Sequence, residues 1–285
     1  MIKHVADRVW AFDAEWIPDP LAGRLLYEIP DSVTDPEEIM RVMWERGGAT
    51  EEDPTPFLKL AVSRVVSIAA VERRVSNGAI GLHLMSLPHD PGDPEQTRES
   101  AIVGSFLDAV GERRPQLVGF NSVDSDLKLL VQRGTILGLR SAAFCERPEK
   151  PWEGIDYFAR GSEFNVDLKQ ILGGFGRATP SLHEMATQSG IPGKLDVDGN
   201  QVARLWLAGN LQKIVQYNEF DALTTYLLWL RLAHFAGHFS SEEYAAEQDR
   251  LREVLVTESK GGKPHLATYL EEWQRLQGII RERGT

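Results

Sequence analysis

Two apolar runs, Val65–Val71 (VVSIAAV) and Gly81–Leu87 (GLHLMSL), flank the dipeptide Asn77-Gly78. Asn-Gly favours the left-handed backbone angles of a tight primed turn, and such a turn twists in step with two antiparallel strands. The pair therefore predicts a hairpin and sets part of the sheet before any distant contact forms. A third run of the same kind, Arg8–Glu15 (RVWAFDAE), lies nearer the N-terminus. There Val9, Trp10, Ala11 and Phe12 form an apolar stretch expected of a short buried strand. Three strands in succession make an antiparallel start.

Helical spacing takes over next. Ile102, Val103, Phe106, Leu107 and Val110 recur on one face of a helix predicted over 95–113, and Pro115 marks its end. Gln116–Phe120 (QLVGF) reads as a fourth strand. A second helix is expected over Asp124–Leu139, with helical pieces at Asp167–Leu172 and Ser181–Ser189 and a long helix over Leu211–Ala236. This order predicts an α/β fold, a mixed sheet flanked by helices, with ligands placed at strand ends. Residues 1–236 form the predicted main domain. Within it, 17–59 is a Pro-, Asp- and Glu-rich insertion, read equally well as a solvated surface segment or as a cover for substrate. Residues 237–285 are predicted as a helical C-terminal extension, two helices separated by Gly261-Gly262 and Pro264.

With 285 residues, 42% of them apolar, the chain has material for a substantial core. Its single cysteine, Cys145, forms no internal disulfide, and no CxxC pair offers a zinc site. Cys145 is expected to be a small buried apolar residue. Met1-Ile2-Lys3-His4 does not resemble a signal peptide, and no apolar run approaches the ~20 residues that span a bilayer. The expectation is a soluble cytoplasmic protein without a membrane partner. The net charge of -11 speaks against a general polyanion binder. Divalent cations held by carboxylates would nonetheless reverse the charge locally, so the net charge does not exclude a nucleic-acid enzyme.

Acidic residues in three places could carry chemistry. Asp13 and Glu15 end the first strand, and positions two apart on a strand project to the same face, so both can reach one cation. A polar exit from the sheet is the other reading. Asp124 and Asp126 follow a strand and open a helix, where each can also serve as a cap. Tyr217 and Asp221, four apart, share a face of the long helix. Ala222, Leu223, Tyr226, Leu227 and Leu230 predict that this helix is packed on a core, so Asp221 needs a partner, a metal or a surface ion pair.

Taken in order, these elements resemble the DEDD exonuclease superfamily and its RNase H-like fold. Phe12-Asp13-Ala14-Glu15 is similar to the first motif. Val118-Gly119-Phe120-Asn121, with Asp126 five residues after the asparagine, is similar to the second, and Tyr217 with Asp221 to the third. The tyrosine marks the tyrosine subclass. A closer resemblance is to predicted 3′–5′ exonucleases related to the proofreading domain of B-family DNA polymerases. It spans about Val9 to Leu232 and rests further on Val166-Asp167-Leu168, Ser181-Leu182, Gly190-Ile191-Pro192-Gly193-Lys194 and Tyr217 through Arg231. One departure is Ser125, where the family commonly has an aromatic residue before the second-motif aspartate. The extra acid Asp124 leaves a competitor to Asp126.

The resemblance implies two Mg²⁺ or Mn²⁺ ions per site, held by Asp13, Glu15, Asp126 and Asp221. In it Asp13 bridges both, Glu15 and Asp221 complete one site, and Asp126 serves the other, through water. Tyr217 positions the attacking water, since a phenol with a pKa of ~10 is a poor base near neutrality. The implied substrate is the 3′ end of single-stranded nucleic acid, DNA favoured, with nucleoside 5′-monophosphates released. An RNA-trimming exoribonuclease, a catalytically idle nucleic-acid-binding module and a small-molecule phosphoesterase are the alternatives. Phe12, Trp16, Phe120, Asn121 and Lys194 are candidate substrate contacts. Phe12 is also a candidate for core packing, and Asn121 for satisfying its own loop. Lys128, Lys169 and Arg177 are candidate phosphate contacts or ordinary surface cations. Asp167 is expected to cap a helix, with a place in the cleft as the other reading.

Overall fold

In the computed structural model, which describes residues 1–173, 176, 178–195 and 199–283, the predicted hairpin is present. Strands β2 (Ser63–Ser76) and β3 (Ala79–Leu87) pair antiparallel through Asn77 and Gly78, whose φ angles of 52° and 76° are those of a primed turn. Strand β1 (Arg8–Pro18) pairs antiparallel with β2, and its other edge pairs parallel with β4 (Gln116–Gly119). A three-residue strand, β5 (Asn165–Asp167), continues the parallel half, giving the order β3-β2-β1-β4-β5. This is a mixed sheet flanked by helices, the fold expected of an RNase H-like exonuclease.

Eleven α-helices lie among the described residues, named here in chain order. Inside the insertion lie α1 (Pro20–Leu26) and α2 (Pro36–Arg46); α3 (Glu99–Arg113) follows the hairpin and α4 (Asp126–Ile136) follows β4. Next come the short helices α5 (Ala142–Cys145), α6 (Leu168–Leu172), α7 (Leu182–Gln188) and α8 (Val202–Leu207), then the long α9 (Leu211–Phe235). The C-terminal pair is α10 (Ser241–Lys260) and α11 (His265–Arg283).

The side-chain alternation of β1 divides the molecule. Trp10, Phe12 and Ala14 face α3 and α4, packing with Ile102, Phe106, Leu107 and Leu130. Val9 and Ala11 face α9, together with Ala69, Val71 and Val118 from neighbouring strands. Asp13 and Glu15 share that parity, so the sheet turns both toward α9. Helix α9 is apolar nearly all round because it is covered on both sides. The sheet lies beneath it, and Leu251, Leu255, Leu266, Tyr269 and Trp273 of α10 and α11 lie in the same core cluster. Buried pairs reinforce that cover. Arg73 of β2 meets Glu247 of α10 at 2.6 Å, and Glu247 also accepts from Tyr226 of α9.

The insertion is folded. Asp19 and Asp35 cap α1 and α2, each with proline at the first helical position. Ala22, Ile29, Ile39, Met43, Leu58 and Val62 form its own small core. Met40 packs instead with Ile17, Val202, Ile214 and Tyr217. The buried Arg133 of α4 grips Asp19 at 2.9 Å and Glu99 of α3 at 2.7 Å, which fixes where the insertion begins.

One expectation is overturned. Cys145 is exposed, because Phe144 takes the inward position of the one-turn helix α5 and stacks on Tyr157. Among the described residues no helix is long and apolar enough to cross a membrane.

Candidate active site

Strand β1 runs on to Pro18, past the expected end at Glu15, and from its second half Asp13 and Glu15, with Asp221, bring one carboxylate oxygen each to within 4.8 Å of one another. Strand parity supplies the first two and α9 supplies the third. Three half-buried anions so close repel, and burial already disfavours their charge. Burial, followed by the charges of Asp126, Asp221 and Glu15, accordingly pushes the Asp13 carboxyl well above the ordinary 3.8. Such a cluster is stable when a cation fills it.

The donor set fits a hard divalent metal. Oxygens on opposite sides of a Mg²⁺ at ~2.1 Å lie ~4.2 Å apart, so this trio stands near chelating distance as it is. Carboxylates alone, without His or Cys, favour Mg²⁺ or Mn²⁺ over zinc or copper.

Asp126 lies outside the trio but next to it. As the first residue of α4 it is turned inward, 4% exposed, with Oδ1 accepting from the Ala14 N–H at 3.1 Å and Oδ2 from the Ser125 hydroxyl at 2.9 Å. Burial raises its pKa to about 6 against the opposing pull of those hydrogen bonds. Asp124, the competitor, precedes the helix and forms an i,i+4 ion pair with Lys128 at 2.6 Å. That contact also accounts for Lys128.

Tyr217, one helical turn before Asp221, packs among Met40, Val202, Ala203 and Ile214 and hydrogen-bonds the Asp221 carboxylate. Burial, then the carboxylates of Asp221, Glu15 and Asp13, hold its hydroxyl far above the ordinary 10. The phenol stays protonated and acts as a donor.

Two residues outside the expected ligand set support the cluster. Asn218 is fully buried and donates to Asp13 Oδ2 at 2.7 Å, while Ser67 of β2 donates to its Oδ1 at 3.0 Å. An asparagine three positions before Asp221 in an apolar helix was the available signal. Asp167 is the second. It caps α6 through the N–H groups of Lys169 and Gln170, and its carboxylate also takes the N–H groups of Asn121 and Val123 at 3.0 and 3.1 Å. One side chain thus clamps the loop that carries the second motif onto β5.

The remaining candidates divide. Phe12 is 1% exposed and packs on Phe106 with ring centres 5.4 Å apart, so it takes the core role and does not meet a base. Asn121, at φ 69°, accepts from Lys169 Nζ at 3.1 Å and donates to the Ser125 hydroxyl, which organises its own loop. Phe120, Asn121 and Lys169 line an open depression with Ser181 and Leu182. Trp16 is half-buried beside the insertion. Lys194 is exposed after α7, its backbone N–H bonded to His183 Nδ1 at 3.0 Å. Arg177 lies outside the described residues.

Strand β1 and helix α9 thus meet at the carboxylate trio, and Asp126 of the second motif bonds the backbone of β1 beside it. A family model described as predicted 3′–5′ exonuclease related to the exonuclease domain of PolB matches residues 55–273. The chain belongs to this family. The matched stretch includes Asp126, Tyr217 and Asp221 and extends through α10 into α11. It begins after Asp13 and Glu15, so the first motif rests on the geometry described above. No curated protein matches the chain. Membership makes the protein an exonuclease, a hydrolase whose substrate is nucleic acid, and the carboxylate trio is compatible with the divalent metal that such enzymes usually need.

Proposed function

We propose that this exonuclease removes nucleotides from the 3′ end of single-stranded nucleic acid, with DNA favoured, and releases nucleoside 5′-monophosphates at a two-cation site. The observation that supports the reading most strongly is the convergence of Asp13, Glu15 and Asp221 to within 4.8 Å, with Tyr217 hydrogen-bonded to Asp221. On this reading Asp13, Glu15, Asp221 and Asp126 would together hold two Mg²⁺ or Mn²⁺ ions. Bound there, the cations supply acidification of a water and neutralisation of charge on the phosphate.

The chain's own residues supply positioning. Asn218, itself held by the Ser67 hydroxyl, fixes the rotamer of Asp13, so that one oxygen stays aimed into the cluster. The Ala14 N–H and the Ser125 hydroxyl hold Asp126 in the same way. Tyr217, kept neutral, donates its one proton to Asp221 and orients the water through its oxygen, as an acceptor. It does not remove that water's proton. The depression beside Phe120 and Asn121, with Lys169 at its edge, offers a path for the strand that leaves the site.

End-labelled single strands of DNA and of RNA, incubated in Mg²⁺, Mn²⁺ or EDTA, test the proposal. Stepwise shortening from the 3′ end is expected in metal only, with 5′-monophosphates as product, and Asp221→Ala should abolish it. Binding without shortening of either polymer in either metal would make the protein an idle nucleic-acid-binding module. Cleavage confined to mononucleotide-sized esters would make it a phosphoesterase.

A further inference from the structure

Beside Glu15 the structure forms a second recess. Trp16, Pro18, Trp44, Phe57, Leu58 and Ala203 are among the residues that enclose about 120 Å³, far more than the ~15 Å³ that a single water occupies. We infer that this recess is a stacking pocket for an unpaired base of the substrate strand, with one wall supplied by the insertion 17–59. The inference rests on the exonuclease reading for the identity of its ligand.

Both sides of the recess are tied to the catalytic cluster. Trp16 follows Glu15 directly, at the point where the β1–β2 register shifts. Ala203, opposite, packs in the same cluster as Tyr217 and Met40. A strand whose terminal phosphate lies at the carboxylates therefore has its neighbouring bases within reach of this pocket.

The insertion holds its aromatic side chain outward on a rigid support. Phe57 is 71% exposed and meets Trp16 edge-on, with ring centres 6.3 Å apart and planes at 84°. Its neighbour Leu58 is buried among Ile39, Met43 and Val62, so Phe57 cannot turn inward without extracting Leu58. The Arg133–Asp19 ion pair anchors the other end of the insertion. An exposed phenylalanine beside two tryptophans is costly in water unless something covers it. The rings of Trp16, Trp44 and Phe57, with Thr55 and Ser63 also in the lining, match a nucleobase, which has apolar faces and polar edges.

The test is a two-by-two comparison. Affinity of the full-length protein for a short fluorescein-labelled DNA strand is measured by anisotropy in EDTA, where no cleavage occurs. Wild type is compared with Phe57→Ala, on the intact strand and on strands carrying an abasic site at each of the last four 3′ positions. Phe57 is exposed, so the variant keeps the fold, and circular dichroism checks this. Phe57→Ala should weaken binding of the intact strand ~5- to 100-fold, the range for loss of one stacked base. At one abasic position that penalty should vanish, because the base and the ring act as a pair. Equal affinity of wild type and variant, or a penalty that survives at every abasic position, would overturn the pocket. If the coupling is found but wild type shortens no strand in Mg²⁺ or Mn²⁺, the pocket stands and the exonuclease reading falls. If strands are shortened without coupling, the pocket alone falls.

Discussion

Replacing Asp13 by asparagine should stabilise the metal-free protein while destroying its activity. Asp13, Glu15 and Asp221 lie within 4.8 Å of one another, and two unit charges at that distance repel by about 3.5 kcal/mol at an effective dielectric of ~20. The full figure is not available to the variant, since Asp13 already escapes part of the repulsion by holding its proton to higher pH. A net gain of about 2 kcal/mol is reasonable at pH 7.5. An amide oxygen can still accept from Asn218, so the local hydrogen bond survives. For a chain of this size each kcal/mol moves Tm by ~2–4 °C, which gives a rise of ~4–8 °C.

The pH dependence has a definite sign. Asp13 has a folded-state pKa raised above the ordinary 3.8. Its contribution to wild-type stability is present below about pH 4 and is lost as pH rises through the raised value. Asp126, pushed up to about 6, acts in the same direction. The advantage of Asp13→Asn should therefore be largest at pH 7.5 and disappear near pH 4. Calorimetry in EDTA and in Mn²⁺ at both pH values measures it. Manganese should raise the wild-type Tm at pH 7.5, where fewer protons compete with it for the carboxylates than at pH 4, and leave the variant nearly unmoved. A variant that is less stable in EDTA at pH 7.5, or one that keeps the full manganese shift, would refute the reasoning.

Two further substitutions probe the residues around the cluster. Asn218→Ala removes the donor that orients Asp13 and leaves the Ser67 hydroxyl without its acceptor. Manganese affinity or kcat/KM should fall ~10- to 100-fold, and a titration showing unchanged affinity and rate would remove Asn218 from the site. Glu219→Gln attacks the cover of α9. Burial pushes the Glu219 carboxyl up, yet bonds from His265, Lys263 and Ser86 outweigh it and hold the group below its usual range. A depressed carboxyl stabilises the fold above its unfolded pKa and loses that effect as pH falls through the folded value. The substitution should cost about 3–5 kcal/mol by urea denaturation at pH 7, and less below pH 4. Equal midpoints at pH 7 would show that the pair contributes nothing.

Much of the site was legible in the sequence. Asn77-Gly78 announced the hairpin, the Val9–Phe12 run announced β1, and the apolar pattern after Leu211 announced α9 to within a residue. Strand β5 was missed because three residues carry no periodicity, and only its parallel pairing with β4 makes it a strand. The insertion helices were missed although Asp19-Pro20 and Asp35-Pro36 are good start signals, because the acidic composition around them masks the short apolar repeat. Asp167 was expected to cap a helix and does so. That it also clamps Asn121 and Val123 depends on β5 lying beside β4, which no local pattern contains.

Local spacing is what one sequence determines by itself. The two-residue period turns Asp13 and Glu15 to one face of a strand, and the turn of a helix stacks Tyr217 on Asp221, wherever those elements come to rest. The meeting of the two faces was decided by tertiary packing. Helix α9 is held across β1 by apolar surface on both of its sides, and this contact brings acids from opposite ends of the chain to within 4.8 Å. Packing likewise turned Asp126 to the backbone of β1, sent Asp124 to Lys128, buried Phe12 and left Phe57 exposed. Each of these depends on what the rest of the chain places opposite a residue, and a residue's own neighbours in sequence do not carry that information.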